Sequence, residues 1–155
     1  MPTPEFVLAL REKIGSDLLW IPGVTAVVRR GDELLLVKRR DNGAWTPVTG
    51  IVDPGEEPAV TAAREALEET GVRIRVDRLA STGVGEPVTY ANGDRAVYLD
   101  LTFACTWLSG EAHVADDEST DVRWWPLDDL PGMSAEVRER IAAALSDEVA
   151  ARFRV

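Results

Sequence analysis

The sequence predicts a single α/β domain, residues 1–155, with a mixed, curved sheet between helices. Three observations carry that expectation. Apolar and polar residues alternate with period two over several stretches. Two stretches switch to helical spacing, and the order runs strands, helix, strands, helix. No GxxxxGK[ST] or GxGxxG occurs, and the alternation is not the regular βαβ of a doubly wound sheet.

Size and composition agree. A chain of 155 residues is long enough to bury a core. With 45% apolar and 28% charged residues it matches folded domains rather than disordered chains. A formal charge of −10 argues against broad binding to nucleic-acid polymers, whose phosphates require Lys and Arg. An anionic small molecule stays compatible if cations stand between it and the carboxylates. The one cysteine, Cys105, lies in the apolar run LDLTFACTWL and reads as a core residue. It excludes an internal disulfide and a Cys/His metal cluster. No secretory signal pattern is evident, and no apolar run reaches the ~18 residues of a membrane span. A cytoplasmic protein with no membrane partner is the expectation.

In chain order, Thr3-Pro4-Glu5 reads as a helix start with a capping hydroxyl, proline in the first turn and an acid near the positive end. Phe6, Val7, Leu10 and Ile14 continue it, so a short helix over 3–14 is an appendage covering one edge of the domain or meeting a partner subunit. VTAVVRR and ELLLVKRR flank Gly31-Asp32 as a hairpin. Asp41-Asn42-Gly43 is a second turn, with Trp45 just past it.

A loop from Gly50 then leads into a helix over about 58–70, ended by Gly71. Val60, Ala63 and Leu67 make its apolar row, with Ala59, Ala62 and Ala66 beside them, and its glutamates are expected to point elsewhere. VRIRVDRLA, 72–80, alternates as a half-buried strand. Residues 83–94 read as a long loop or hairpin tip, 96–108 as a long strand, and VRWWPL as a short one after the polar loop HVADDEST. Val137, Ile141, Leu145 and Val149 predict an amphipathic helix over 134–153.

The chemically informative stretch is GIVDPGEEPAVTAAREALEETGV, 50–72. Glu65, Glu68 and Glu69 stand three and four residues apart, neighbours on a helix that repel each other by ~0.2–0.5 kcal/mol per exposed pair. A divalent cation gives such a cluster a purpose, and oxygen-rich sites suit Mg²⁺ or Mn²⁺.

Gly50, five residues, Glu56, seven residues, then REALEETGV from Arg64 resembles the Nudix box, a signature of many positions at fixed spacing. The early hairpin, the tryptophan before the box and the late WWPLDDLP followed by a helix resemble the same family. The resemblance implies a Nudix-type α/β/α sandwich. It also implies hydrolysis of the diphosphate bridge of a nucleoside diphosphate linked to another group, with Mg²⁺ or Mn²⁺. The substrate types in view are a nucleoside triphosphate, ADP-ribose or a nucleotide-sugar. It implies Glu65, Glu68 and Glu69 as metal ligands, a backbone carbonyl at Thr49 or Gly50 as another, Arg64 as the group orienting the glutamates, and Glu56 as its partner and occasional water-mediated ligand. Members often carry two adjacent glycines where this chain has Thr49-Gly50, so Thr49 has to take a backbone geometry that glycine adopts more easily.

The resemblance leaves the base open between a box glutamate and a glutamate from a loop outside the box. Glu118 in ADDEST is the outside candidate, with Asp116 and Asp117 competing. Substrate contacts are assigned to Arg39 and Arg40, with Lys38 beside them at a strand end, to Trp45 as a stacking ring, and to Tyr90, Asn92 and Asp94 in a YxNGD-like loop. His113 reads as a surface residue. The relatives admit a homodimer, though no residue pattern demands one. Two rival functions are a catalytically silent nucleotide-sensing Nudix domain, which intact Arg64 and box glutamates argue against, and RNA processing, which the acidic balance disfavours.

Overall fold

The structure, a computed structural model, describes residues 3–155. Among these residues there are three helices and one eight-stranded mixed sheet. The core path of the sheet runs β3 (Trp45–Thr46), β2 (Glu33–Arg39), β1 (Leu19–Arg30), β7 (Arg95–Ser109) and β5 (Arg73–Val84). β1 and β7 are parallel, from Leu19↔Ala96 to Arg29↔Thr106, while the other pairings are antiparallel. β4 (Val48–Ile51) also pairs with β1, β6 (Val88–Thr89) with β7, and β8 (Ser119–Pro126) with β2.

β1 and β2 close a hairpin at Gly31-Asp32 with Gly31 at φ 59°, a glycine at the first central position as a II′-type turn requires. β1 begins five residues before the run VTAVVRR, because Leu19–Gly23 are already held alongside β7. Its central residues are buried on both faces, so strict alternation disappears there. On one face Val24, Ala26, Val28, Leu35 and Val37 pack with Ala62 and Ala66 of α2 (Pro58–Thr70). On the other, Val27, Leu34 and Leu36 pack with Ile141 of α3 (Ala135–Leu145). α1 (Glu5–Ile14) seats Val7 against Leu19, Ile21 and Ala96, so it covers one end of the central strands. The layering is the α/β/α sandwich expected.

Four local expectations are corrected. α1 has Pro4 at its N-cap with no side-chain cap, so the Thr3 hydroxyl does not serve. α3 stops at Leu145 rather than 153, and Val149 is 91% exposed. The Arg78 guanidinium takes the Ala143 and Ser146 carbonyls at 2.8 Å, satisfying the helix end, and the following chain turns to pair Arg152 with β5. The strand expected over 72–80 runs on as β5 to Val84, beyond which the expected hairpin tip lies at Tyr90–Asp94, between β6 and β7.

The fourth correction bears on function. Val60 and Leu67 of α2 are exposed, and the face turned to the sheet consists of Thr61, Ala62, Glu65, Ala66, Glu69 and Thr70. Alanines at 62 and 66 bring the helix close to the strands, which draws the neighbouring carboxylates inward rather than out to water.

Candidate active site

β4 lies beside Gly23–Ala26 of β1, whereas β2 joins β1 only at Arg29 and Arg30. Both strands lie on the side of β1 away from β7, so they diverge. A cavity of about 330 Å³ opens there, lined by Arg39 and Arg40 from β2 and the chain just after it, Thr49 from β4, Glu69 from α2, and Glu118 from the loop before β8.

Gly50 shapes the wall of this region. A Cβ there would lie 2.3 Å from Glu65 Cγ and 2.7 Å from its Oε1, so only glycine admits Glu65 against β4. Thr49, by contrast, lies in β4, and no residue other than glycine has positive φ among the described residues; the geometry there needs no second glycine.

Arg64 organises the carboxylates. Its Nε and Nη2 donate to the two oxygens of Glu56 at 2.9 and 2.8 Å, and Nη1 donates to Glu65 Oε1 at 2.8 Å and Glu68 Oε2 at 3.0 Å. The Arg64 pair, aided by the Thr61 hydroxyl, holds Glu56 down at about 2. Glu65 is fully buried, and burial pushes it up to about 7 against the pull of Arg64. Glu69 is pushed up to about 8 by burial, by the charge of Glu65 and by Asp116. Glu65 Oε2 is buried without a hydrogen-bond partner among the described residues.

These features fit a divalent cation. Two desolvated, mutually repelling carboxylates have only Arg64 on one Glu65 oxygen as a direct cationic partner and leave the other Glu65 oxygen orphaned, and their hard oxygens match Mg²⁺ or Mn²⁺. Among the described residues no three acidic, histidine or cysteine side chains form a ready-made metal group. Glu68, with its side chain 51% exposed, is turned to Arg64. The arrangement therefore offers Glu65 and Glu69 beside the β4 backbone. That suits Mg²⁺, which is usually held by one or two carboxylates and completed by waters and substrate phosphates.

The other sequence candidates divide. Arg39 lines the cavity with Asp41, which binds its Nε and Nη2 at 2.9 and 2.5 Å and keeps the guanidinium firmly charged. Arg40 directs Nε to the Asp117 carbonyl at 2.5 Å and Nη2 toward that of Ser119 at 3.4 Å. Trp45 is not brought to the cavity: it packs edge-on to Trp125, 5.2 Å between centroids, in the core under α3. Tyr90 hydrogen-bonds Tyr98 hydroxyl to hydroxyl at 2.5 Å, while Asn92 and Asp94 bind each other within the hairpin tip. Those three do not line the cavity. Asp41 was legible only as a turn former, and the orientation of its carboxylate has no local signal. His113 is exposed, its ring lying over Gly71, and Cys105 is buried.

A family model described as NUDIX domain matches residues 19–145. A "MutT-like protein" of Streptomyces ambofaciens is 40% identical over 72% of this chain and 66% of its own length. "NAD-capped RNA hydrolase NudC" of Stutzerimonas stutzeri (strain A1501) is 35% identical over 84% of this chain and 45% of its own. The chain thus spans less than two thirds of either relative. Among solved structures, the MutT NUDIX hydrolase from Burkholderia pseudomallei superposes with a TM-score of 0.64 at 27% identity, covering 81% of this chain and 98% of that one.

Proposed function

The chain belongs to the NUDIX domain family, and from that premise we propose that it is a metal-dependent pyrophosphohydrolase. It cleaves the diphosphate bridge of a nucleoside diphosphate linked to another group, with Mg²⁺ or Mn²⁺. The observation that carries this reading is the buried Glu65–Glu69 pair beside Gly50, with one Glu65 oxygen left without a partner.

In this reading Glu65 and Glu69 hold the cation with the backbone at Thr49 and Gly50, and Glu68 and Glu56 stand in reserve around Arg64. When bound there, such an ion would neutralise the charge of a polyanionic substrate and lower the pKa of a bound water. The protein's own groups do the rest. Arg64 fixes Glu65 by a planar fork that lysine cannot reproduce. Arg39, clamped by Asp41, faces the phosphates. Glu118 on the cavity wall takes the proton of the attacking water, a role typically contributing about 10²–10⁴ in rate.

The 35% identity to a protein named NAD-capped RNA hydrolase supports a dinucleotide diphosphate as one substrate to test first. The formal charge of −10 supports a small nucleotide over an RNA body. The test is turnover of a panel of NAD⁺, ADP-ribose, a nucleotide-sugar, a nucleoside triphosphate and an NAD-capped oligonucleotide with Mg²⁺, ranked by kcat/KM. Release of phosphorylated products from at least one member is expected; none from any would reject the reading in favour of a binding domain.

A further inference from the structure

Two adjacent arginines reach the same cavity, yet their guanidinium groups are engaged differently. Asp41 occupies Nε and Nη2 of Arg39 and leaves Nη1 outside that pair. Arg40 has Nε on the Asp117 carbonyl and Nη2 toward the Ser119 carbonyl, while its backbone N–H donates to the Glu118 carbonyl at 2.8 Å. Three donors of one residue thus reach three consecutive carbonyls of the acidic loop.

The surrounding backbone serves the same loop. β2 and β8 shift register between Lys38 and Arg39, so that Lys38 faces Asp121 and Arg39 faces Ser119, with Thr120 as the extra residue. A bulge bends its strand and re-aims the neighbouring side chains. Asp116 Oδ1 accepts the Glu118 N–H at 3.1 Å, closing a local turn. Of the three loop acids, Asp116 is thereby tied into the turn. Asp117 is exposed, and Glu118 is the half-buried one on the cavity wall beside Glu69.

We propose that Arg40 is a positioning residue for the hydrolytic reaction: it clasps the 117–119 backbone so that Glu118 is held at the cavity, and it does not bind the substrate phosphates. The inference rests on the function proposed above for its kinetic consequences, and on the hydrogen bonds alone for its structural ones. Planarity matters, because two carbonyls two residues apart are met by two nitrogens of one rigid fork, whereas an ammonium is a single point of charge.

The test compares Arg40→Met, Arg40→Lys, Glu118→Gln and the double variant Arg40→Met/Glu118→Gln on the best substrate of the panel. Loss of geometric control over a reacting group lowers kcat, here by about 5- to 20-fold in Arg40→Met, below the ~10² that an ångström of misplacement can cost. KM should stay within about twofold, as expected when an interaction serves the transition state alone. Arg40→Lys should keep most of the defect, and Arg40→Met should add less than about twofold in the Glu118→Gln background, since residues acting through one another are non-additive. A raised KM restored by Arg40→Lys would mean that Arg40 holds phosphate and would overturn the proposal. Independent, multiplying effects of the two substitutions would overturn it as well.

Amide hydrogen exchange in the same proteins separates this inference from the functional reading. Faster exchange at 117–120 in Arg40→Met and Arg40→Lys, with α2 unchanged, is expected even if no panel member is hydrolysed. Unchanged loop exchange in both variants sinks the clasp whatever the activity. If Arg40→Met does not fold, Arg40→Lys carries both measurements.

Discussion

Glu65 lies so close to the α-carbon of Gly50 that a methyl group there would overlap its Cγ at 2.3 Å. The glycine is needed for the space it leaves rather than for a turn. Gly50→Ala should therefore push Glu65 out of register with Glu69 and lower kcat/KM by about 10²-fold, the scale of an ångström's misplacement. Calorimetric titration with Mn²⁺ should show weakened binding in the same variant. Wild-type turnover and Mn²⁺ affinity in Gly50→Ala would separate Gly50 from the site.

Arg64 holds three glutamates at once, one of them fully buried. Arg64→Lys keeps the charge and loses the fork. It should cost ~1–3 kcal/mol of stability, because a buried carboxylate loses a charged hydrogen bond, and lower activity by about 10²-fold through misorientation. Thermal unfolding and steady-state kinetics measure the two effects. A lysine variant with normal kcat would show that net charge, not planar geometry, is what the site needs.

The acids of the site give stability a sign that depends on pH. Glu65 and Glu69 titrate near 7 and 8 in the fold, against about 4.5 for an ordinary glutamate. Below pH 4.5 folded and unfolded chains both retain these protons and no difference arises. As pH rises above 4.5 the unfolded chain releases them while the fold retains them, so this contribution to stability falls until about pH 8 and then levels. Glu56, held near 2 by Arg64, acts oppositely and only in acid: its stabilising contribution is present above pH 4.5 and is lost as pH falls through 2. In EDTA, then, Glu69→Gln should gain thermal stability over wild type progressively from pH 5 to 8, and Mg²⁺ should narrow that gap by stabilising the wild type. A gap independent of pH would contradict the burial that raises these carboxylates.

Much of this was legible in the residues. The helix over 58–70 and the pairing of Arg64 with Glu56 follow from spacing and from the family resemblance, because both are local. The face of α2 was not legible. Periodicity favoured Val60 and Leu67 for the interior, whereas the sheet accepts the small Ala62 and Ala66 and draws Glu65 and Glu69 with them. A carboxylate buried for a ligand looks like a surface charge to any reading based on hydropathy. The end of α3 was set by Arg78, 65 residues away from Ala143, a contact no local pattern announces. The packing of Trp45 away from the cavity was hidden for a similar reason, since its partner Trp125 comes from β8, much later in the chain.

The most direct measurement is kcat/KM of wild type and Glu69→Gln on the best panel substrate, each with Mg²⁺ and with EDTA. The account predicts turnover in wild type with Mg²⁺ alone, and near loss in Glu69→Gln, whose amide can neither offset the cation's charge nor replace a carboxylate ligand. Equal turnover in all four conditions would contradict it.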